Sequence, residues 1–93
     1  MNYLYKHNKY ARSKTLDNEI TIFQSQSCDY LVLDEVGTTI WNLLQSPKTY
    51  SEIVSELSSL YEVEYSQLEK DIKEWLENAE KKLIVKKFIS NGK

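Results

Sequence analysis

The feature that most restricts this chain is a change of period near Gly37. Before that glycine, apolar residues recur every second position; after it they recur every three or four. A chain written this way folds as a small sheet followed by helices. It cannot form a uniform helical bundle or an all-β barrel, because each segment has one face to bury and the two periods bury it differently.

The first zone contains three candidate strands. Residues 9–16 are the weakest. Residues 19–24 (E-I-T-I-F-Q) alternate, with Ile20 and Ile22 on one face and Thr21 and Phe23 on the other. Residues 28–33 (C-D-Y-L-V-L) set Leu31 and Leu33 against Tyr30 and Val32. Asp17-Asn18 and Ser25-Gln26-Ser27 supply turn chemistry between them. Short polar turns imply an antiparallel meander whose third strand, being last, lies at an edge.

In the second zone, residues 37–44 (G-T-T-I-W-N-L-L) read as a short helix stopped before Ser46-Pro47. Thr49-Tyr50-Ser51-Glu52 fits a capping box, and the helix it opens carries Ile53, Val54, Leu57 and Leu60 on one face. Ser66-Gln67-Leu68-Glu69 fits a second box. Its helix extends to about Lys82, with Leu68, Ile72, Trp75, Leu76, Ala79 and Leu83 in one stripe. Residues 83–89 read as a short strand or extended tail. The expected fold class is α+β: a winged-helix-like domain with a three-stranded antiparallel sheet followed by three helices. It forms a single domain over 1–93 with its core at 8–87.

Composition removes whole classes of function. Cys28 is the only cysteine and His7 the only histidine. Disulfides, thiolate clusters and the usual zinc, haem and histidine-based catalytic sets are therefore excluded, and no metal or cofactor is expected. Twelve basic against fourteen acidic side chains give a formal charge of −2, which argues against a nucleic-acid or anionic-membrane partner. The N-terminus lacks the apolar core of a signal peptide, so a cytoplasmic location is expected.

The ordered series Leu33-Asp34-Glu35-Val36-Gly37-Thr38-Thr39-Ile40-Trp41-Asn42-Leu43-Leu44, Pro47-Lys48-Thr49, Glu52-Ile53-Val54, Leu57, Tyr61-Glu62-Val63, Leu68-Glu69-Lys70-Asp71-Ile72, Trp75-Leu76 and Leu83-Ile84 resembles the PqqD-like family. These domains are also called RiPP recognition elements and include those of lasso-peptide type. The chain departs from the family pattern at Lys82-Leu83, where a glycine usually precedes the closing Leu-Ile. The resemblance implies a domain that is not an enzyme and binds the leader of a ribosomally synthesised precursor peptide. It also implies delivery of that peptide to a maturation enzyme, either a lasso-type leader peptidase or a radical-SAM protein. The leader would add as an antiparallel strand to the third strand, in a groove walled by the third helix.

The residues themselves give this reading a physical basis, because an edge strand offers unpaired N–H and C=O groups. The candidate binding residues are Asp29, Tyr30, Leu31, Val32 and Leu33 on that strand. On the third helix they are Asp71, Trp75, Asn78 and Lys82, which share one flank. The opposite flank (Glu69, Lys73, Glu80) is the competing assignment. A free edge could also pair with its own copy in a homodimer. Each of these residues also has a plainer reading. Trp41 and Trp75 read as core, Cys28 as a small hydrophobe at a strand start, His7 as solvated, and Lys81, Lys82, Lys86 and Lys87 as a soluble face. The alternative function is a winged-helix DNA-binding regulator. Acids at 69, 71, 74, 77 and 80 against lysines at 70, 73, 81 and 82 make its recognition helix net negative.

Overall fold

The computed structural model describes residues 3–89, so the ends of the expected 1–93 domain lie outside it. Six strands and three helices follow one another along the chain: β1 (Tyr3–His7), β2 (Ala11–Leu16), β3 (Glu19–Gln24), β4 (Asp29–Leu33), α1 (Glu35–Leu43), β5 (Lys48–Thr49), α2 (Tyr50–Leu60), α3 (Tyr65–Lys81) and β6 (Val85–Ile89). The expected α+β class holds: β2-β3-β4 form an antiparallel meander, and three helices follow it along the chain. The weak first strand begins at Ala11, later than the 9–16 expected.

A second antiparallel sheet, β5-β1-β6, was not foreseen. Residues 83–89 are no loose tail: β6 pairs with β1 from Tyr3↔Ile89 to His7↔Val85. The partners stand at opposite ends of the chain with no turn between them, so period and turn chemistry carry no sign of the pairing.

The hairpin between β2 and β3 turns on Asp17 and Asn18, both left-handed (φ 52 and 68), as a two-residue type I′ connection requires. The next turn is satisfied by an unexpected side chain. Gln24, fully buried, accepts from the N–H groups of Gln26 (2.6 Å) and Ser27 (3.2 Å) and donates to the Leu83 carbonyl (3.0 Å). Cys28 closes this turn at φ 59 and is exposed, which corrects its reading as a small hydrophobe at a strand start.

Helix α1 starts two residues before Gly37, because the Asp34 carboxylate accepts from the Gly37 N–H at 2.7 Å and caps it there. The capping box at Thr49 and Glu52 forms as expected, with reciprocal bonds of 3.1 and 2.8 Å. That N–H bond holds the Glu52 carboxyl below its usual range. The box expected at Ser66 does not form. Helix α3 begins at Tyr65, which puts Ser66 inside the first turn; its hydroxyl donates to Glu64 Oε1 instead.

The core runs from Ile22 and Leu33 of the sheet through Ile40, Trp41, Ile53 and Leu57 to Ile72, Leu76 and Ile84. Leu60 and Leu83 are exposed, against expectation. Leu60 ends α2, past its last buried turn. Leu83 is left-handed (φ 60) just beyond the C-cap Lys82. There the N–H groups of Leu83 and Ile84 bond the carbonyls of Glu80 (3.0 Å) and Ala79 (2.8 Å), the Schellman arrangement with leucine in the glycine role. Lys82 itself has φ −87, so the missing family glycine leaves no strain at that position.

His7 is not solvated. Its ring stacks on Trp41 (centroids 3.4 Å apart, planes at 7°), and Nε2 donates to the Trp41 carbonyl at 2.7 Å. Burial lowers its pKa from the ordinary 6.5.

Candidate functional site

The open edge of β4 can be read residue by residue. Ser25 N–H donates to the Tyr10 carbonyl at 3.0 Å, extending the β2–β3 ladder one pair beyond Ala11↔Gln24. Backbone groups in a strand alternate sides. Phe23 and Thr21 therefore turn theirs toward β2, and Gln24, Ile22 and Ile20 turn theirs toward β4. Their partners are Asp29, Leu31 and Leu33. Tyr30 and Val32 are left with an N–H and a C=O each, pointing away from the sheet. A second observation agrees: Lys82 Nζ donates to the Tyr30 carbonyl at 3.3 Å, reaching it from the open side.

Side chains divide the same five residues differently. Tyr30 (62% exposed) and Val32 (46%) lie on the outer face, and Leu33 (5%) faces the core with half-buried Leu31. Tyr30 and Val32 thus offer backbone to the edge, while Leu31 and Leu33 anchor the strand. Tyr30 also stands beside Phe23, its pair across the ladder, which is itself exposed on that face.

Beside the edge runs α3. Asp71, Trp75 and Asn78 line a hollow of about 490 Å³ together with Asp34, Val36 and Glu74. Lys82, the fourth helix residue expected, stands apart at the Tyr30 end. The competing flank faces elsewhere: Lys73 and Glu80 line a hollow of about 290 Å³ with Tyr5, Tyr50 and Lys87 beside the second sheet. Glu80 and Lys87 form an ion pair there at 3.9 Å. In the same region the Tyr50 hydroxyl donates to the Glu69 carbonyl, and burial raises the phenol pKa values of Tyr5 and Tyr50.

Trp75 is half-buried and owes its position to Gly37. A Cβ on Gly37 would lie 2.5 Å from Trp75 Nε1 and 3.2 Å from Cδ1. Only a residue without a side chain lets the indole lie on the first turn of α1. Trp41, by contrast, is core (5% exposed). Asp34, Val36 and Glu74 were not among the expected site residues. Asp34 stood in the sequence only as part of the family-like series; its carboxylate bond to the Gly37 N–H and its place in the groove wall come from the structure. The wall carries Asp34, Asp71 and Glu74 at one end, with Asp71 accepting from Gln67 Nε2 at 2.9 Å. Lys82 stands at the other end.

The fold is thus an α+β domain that leaves the β4 edge open beside a flank of α3. The chain belongs to the PqqD family: the family described as Coenzyme PQQ synthesis protein D (PqqD) matches residues 19–85, well over half of the sequence. Two solved structures are similar along nearly their whole length. TbiB1, in complex with the TbiA(beta) leader peptide, is 28% identical with a TM-score of 0.78, over 91% of this chain and 99% of that one. A lasso peptide synthetase B1, complexed with its leader peptide, shares the fold at 18% identity and a TM-score of 0.75, over 88% of this chain and 96% of that one. No curated protein matches the sequence. No helix among the described residues is long and apolar enough to cross a membrane.

Proposed function

We propose that this domain binds the leader segment of a ribosomally synthesised precursor peptide as an added antiparallel strand on β4. It then delivers the peptide to a maturation enzyme, without chemistry of its own. The observation that carries the reading is the pair Tyr30 and Val32, whose backbone groups point away from the sheet beside α3, with only the Tyr30 carbonyl covered, by Lys82. Two structural neighbours that are leader-peptide complexes support it. The enzyme is a lasso-type leader peptidase, with a radical-SAM protein as the other candidate.

Hydrogen bonding alone is too weak for this role. A donor and an acceptor on each of two residues give roughly 2–6 kcal/mol in all, at 0.5–1.5 per bond. Association costs about 4–15 kcal/mol. Affinity and sequence choice therefore come from side chains entering the groove. In this reading Trp75 supplies apolar area, Asn78 an amide, and Asp71 and Lys82 charge.

The test is a titration with the synthetic leader of the precursor encoded beside the protein, and separately with duplex DNA at physiological salt. A leader dissociation constant of micromolar or tighter, about −8 kcal/mol, with DNA binding absent, is expected. Failure to bind the leader, or tight and salt-sensitive DNA binding, would overturn the assignment.

A further inference from the structure

Lys82 ends α3 and lays its ammonium on the Tyr30 carbonyl. That carbonyl is one of the acceptors a strand added to β4 needs. Among the described residues the single ion pair is Lys87–Glu80, so Lys82 has no carboxylate of its own. Its one recorded partner is an acceptor that an arriving strand would take from it.

The register of such a strand follows from the backbone of β4. Residues opposite Tyr30 and Val32 would exchange hydrogen bonds with them and turn their side chains to the outer face. Residues opposite Leu31 and Leu33 would turn theirs into the groove. Trp75 stands at the Leu33 end, seated against Gly37 beside Asp34. Lys82 stands at the Tyr30 end. The seven residues from Trp75 to Lys82 span about 10 Å of helix, and the four-residue step from Asp29 to Leu33 about 13 Å of strand. Groove-facing positions recur every two residues, about 7 Å, along an added strand, so the flexible Lys82 stem leans about 3 Å toward Trp75 for the two wall elements to meet successive ones.

Resting on the strand-addition reading above, we infer that Lys82 is a specificity-determining latch. It covers the Tyr30 carbonyl while the edge is empty, is displaced by the incoming strand, and then pairs with an Asp or Glu of the leader. That acid sits opposite Leu31. In an antiparallel strand it follows by two residues the apolar residue that packs on Trp75. An ammonium suits this exchange, being a compact charge on a flexible stem that can leave a neutral carbonyl for a carboxylate without moving the helix. The ligand class is thus an extended peptide with an apolar residue, one spacer and an acid, in that order.

The experiment selects a displayed library of random strand-length peptides on three immobilised proteins: wild type, Lys82→Glu and Val32→Pro. A companion titration compares wild type with Lys82→Met using the enriched peptides. Wild type is expected to enrich an acid two positions after an apolar residue. Lys82→Glu should enrich a Lys or Arg at that position, and Val32→Pro should enrich neither. Lys82→Met should weaken the acidic peptides by roughly two- to fivefold, as removal of a part-exposed ion pair does, and added salt should shrink the difference. Peptides that need Val32 but show no charge preference, or the same preference on Lys82→Glu, overturn the latch and leave strand addition standing. Selection that is indifferent to Val32→Pro overturns the strand-addition reading and the latch with it.

Discussion

Replacing Val32 by proline, with Leu31→Pro as its counterpart, tests the alternation on which the site rests. The Val32 N–H points to the open edge, so its removal breaks no bond within the domain. Its side chain is 46% exposed, so truncation to a pyrrolidine costs about half of a valine's burial, roughly 1 kcal/mol. Proline returns about 0.4–1 kcal/mol by restricting the unfolded chain. Val32→Pro should therefore change stability by less than about 1 kcal/mol, and edge strands are where proline is tolerated. Leu31→Pro removes an N–H that serves the ladder to Ile22 and drives a ring toward β3. It also withdraws a leucine packed on the core, for roughly 3 kcal/mol or more. For a domain this size each kcal/mol moves the melting point by about 4–8 °C. Leu31→Pro should thus melt at least about 12 °C below wild type, and Val32→Pro within about 8 °C. Leader binding by Val32→Pro should nevertheless fall at least tenfold, because one hydrogen bond is lost and the ring occupies the place of the partner carbonyl. Thermal melts by circular dichroism and anisotropy titrations of a labelled leader measure both. A larger melting loss for Val32→Pro than for Leu31→Pro would show that the alternation is reversed. A folded Val32→Pro with wild-type affinity would show that no strand adds at β4.

Three further outcomes are expected. Gly37→Ala gains up to about 1 kcal/mol in helix propensity but puts a methyl 2.5 Å from Trp75 Nε1, an overpacking worth about 1–3 kcal/mol. It should be less stable in urea with shifted tryptophan emission; a more stable variant would mean the indole yields freely. Leu83→Gly relieves a left-handed leucine that is 47% exposed, at about 1–2 kcal/mol, against glycine's entropic cost of about 0.5–1 and roughly 1 for the burial the side chain gives up; its stability in urea should stay within about 1 kcal/mol of wild type, and a larger fall would count against the Schellman reading. The folded pKa of His7 lies below 6.5, so the unfolded chain binds the proton first as pH falls. Its contribution to stability is present above pH 6.5 and is lost below it, down to the folded pKa. His7→Phe, which keeps a ring on Trp41, should flatten the stability profile through that window, and an unchanged slope would refute the assignment.

What the sequence disclosed was whatever depends on neighbours in the chain. Alternation marked β3 and β4, the Thr49–Glu52 box marked the start of α2, and helical spacing put Asp71, Trp75 and Asn78 on one flank. The second sheet escaped because Tyr3 and Ile89 meet only in three dimensions. Ser66 misled for a local reason: the box pattern is present, yet the helix starts two residues earlier than that box implies and turns the expected cap into an interior position. His7 and Gln24 were passed over as ordinary polar residues. Their partners, Trp41 and Leu83, are remote in sequence. Within the site, the division of β4 into edge-facing and ladder-bound residues needed the parity set by the Ser25–Tyr10 bond.

That parity raises a final question, since the β2-β3-β4 sheet has two open edges. By the same alternation, Ala11, Ser13 and Thr15 of β2 turn their backbone groups outward, with the Ala11 N–H already donating to the Asn8 carbonyl at 3.0 Å. A hollow of about 490 Å³ lies beside them, lined by polar groups such as Arg12, Asn42 and Gln45. Of its large apolar neighbours, Trp41 is already withdrawn from solvent by the rest of the core (5% exposed) and Ile20 is partly buried against that core, so an added strand would gain backbone bonds and little further apolar burial. Those bonds fall short of the cost of association by themselves. The β4 edge offers comparable bonds beside the half-buried indole of Trp75, which is seated against Gly37. In the strand-addition reading the two edges differ in the apolar surface beside them, and the absent Cβ of Gly37 is what lets Trp75 lie there. This is why the glycine at which the sequence changes period also bears on binding.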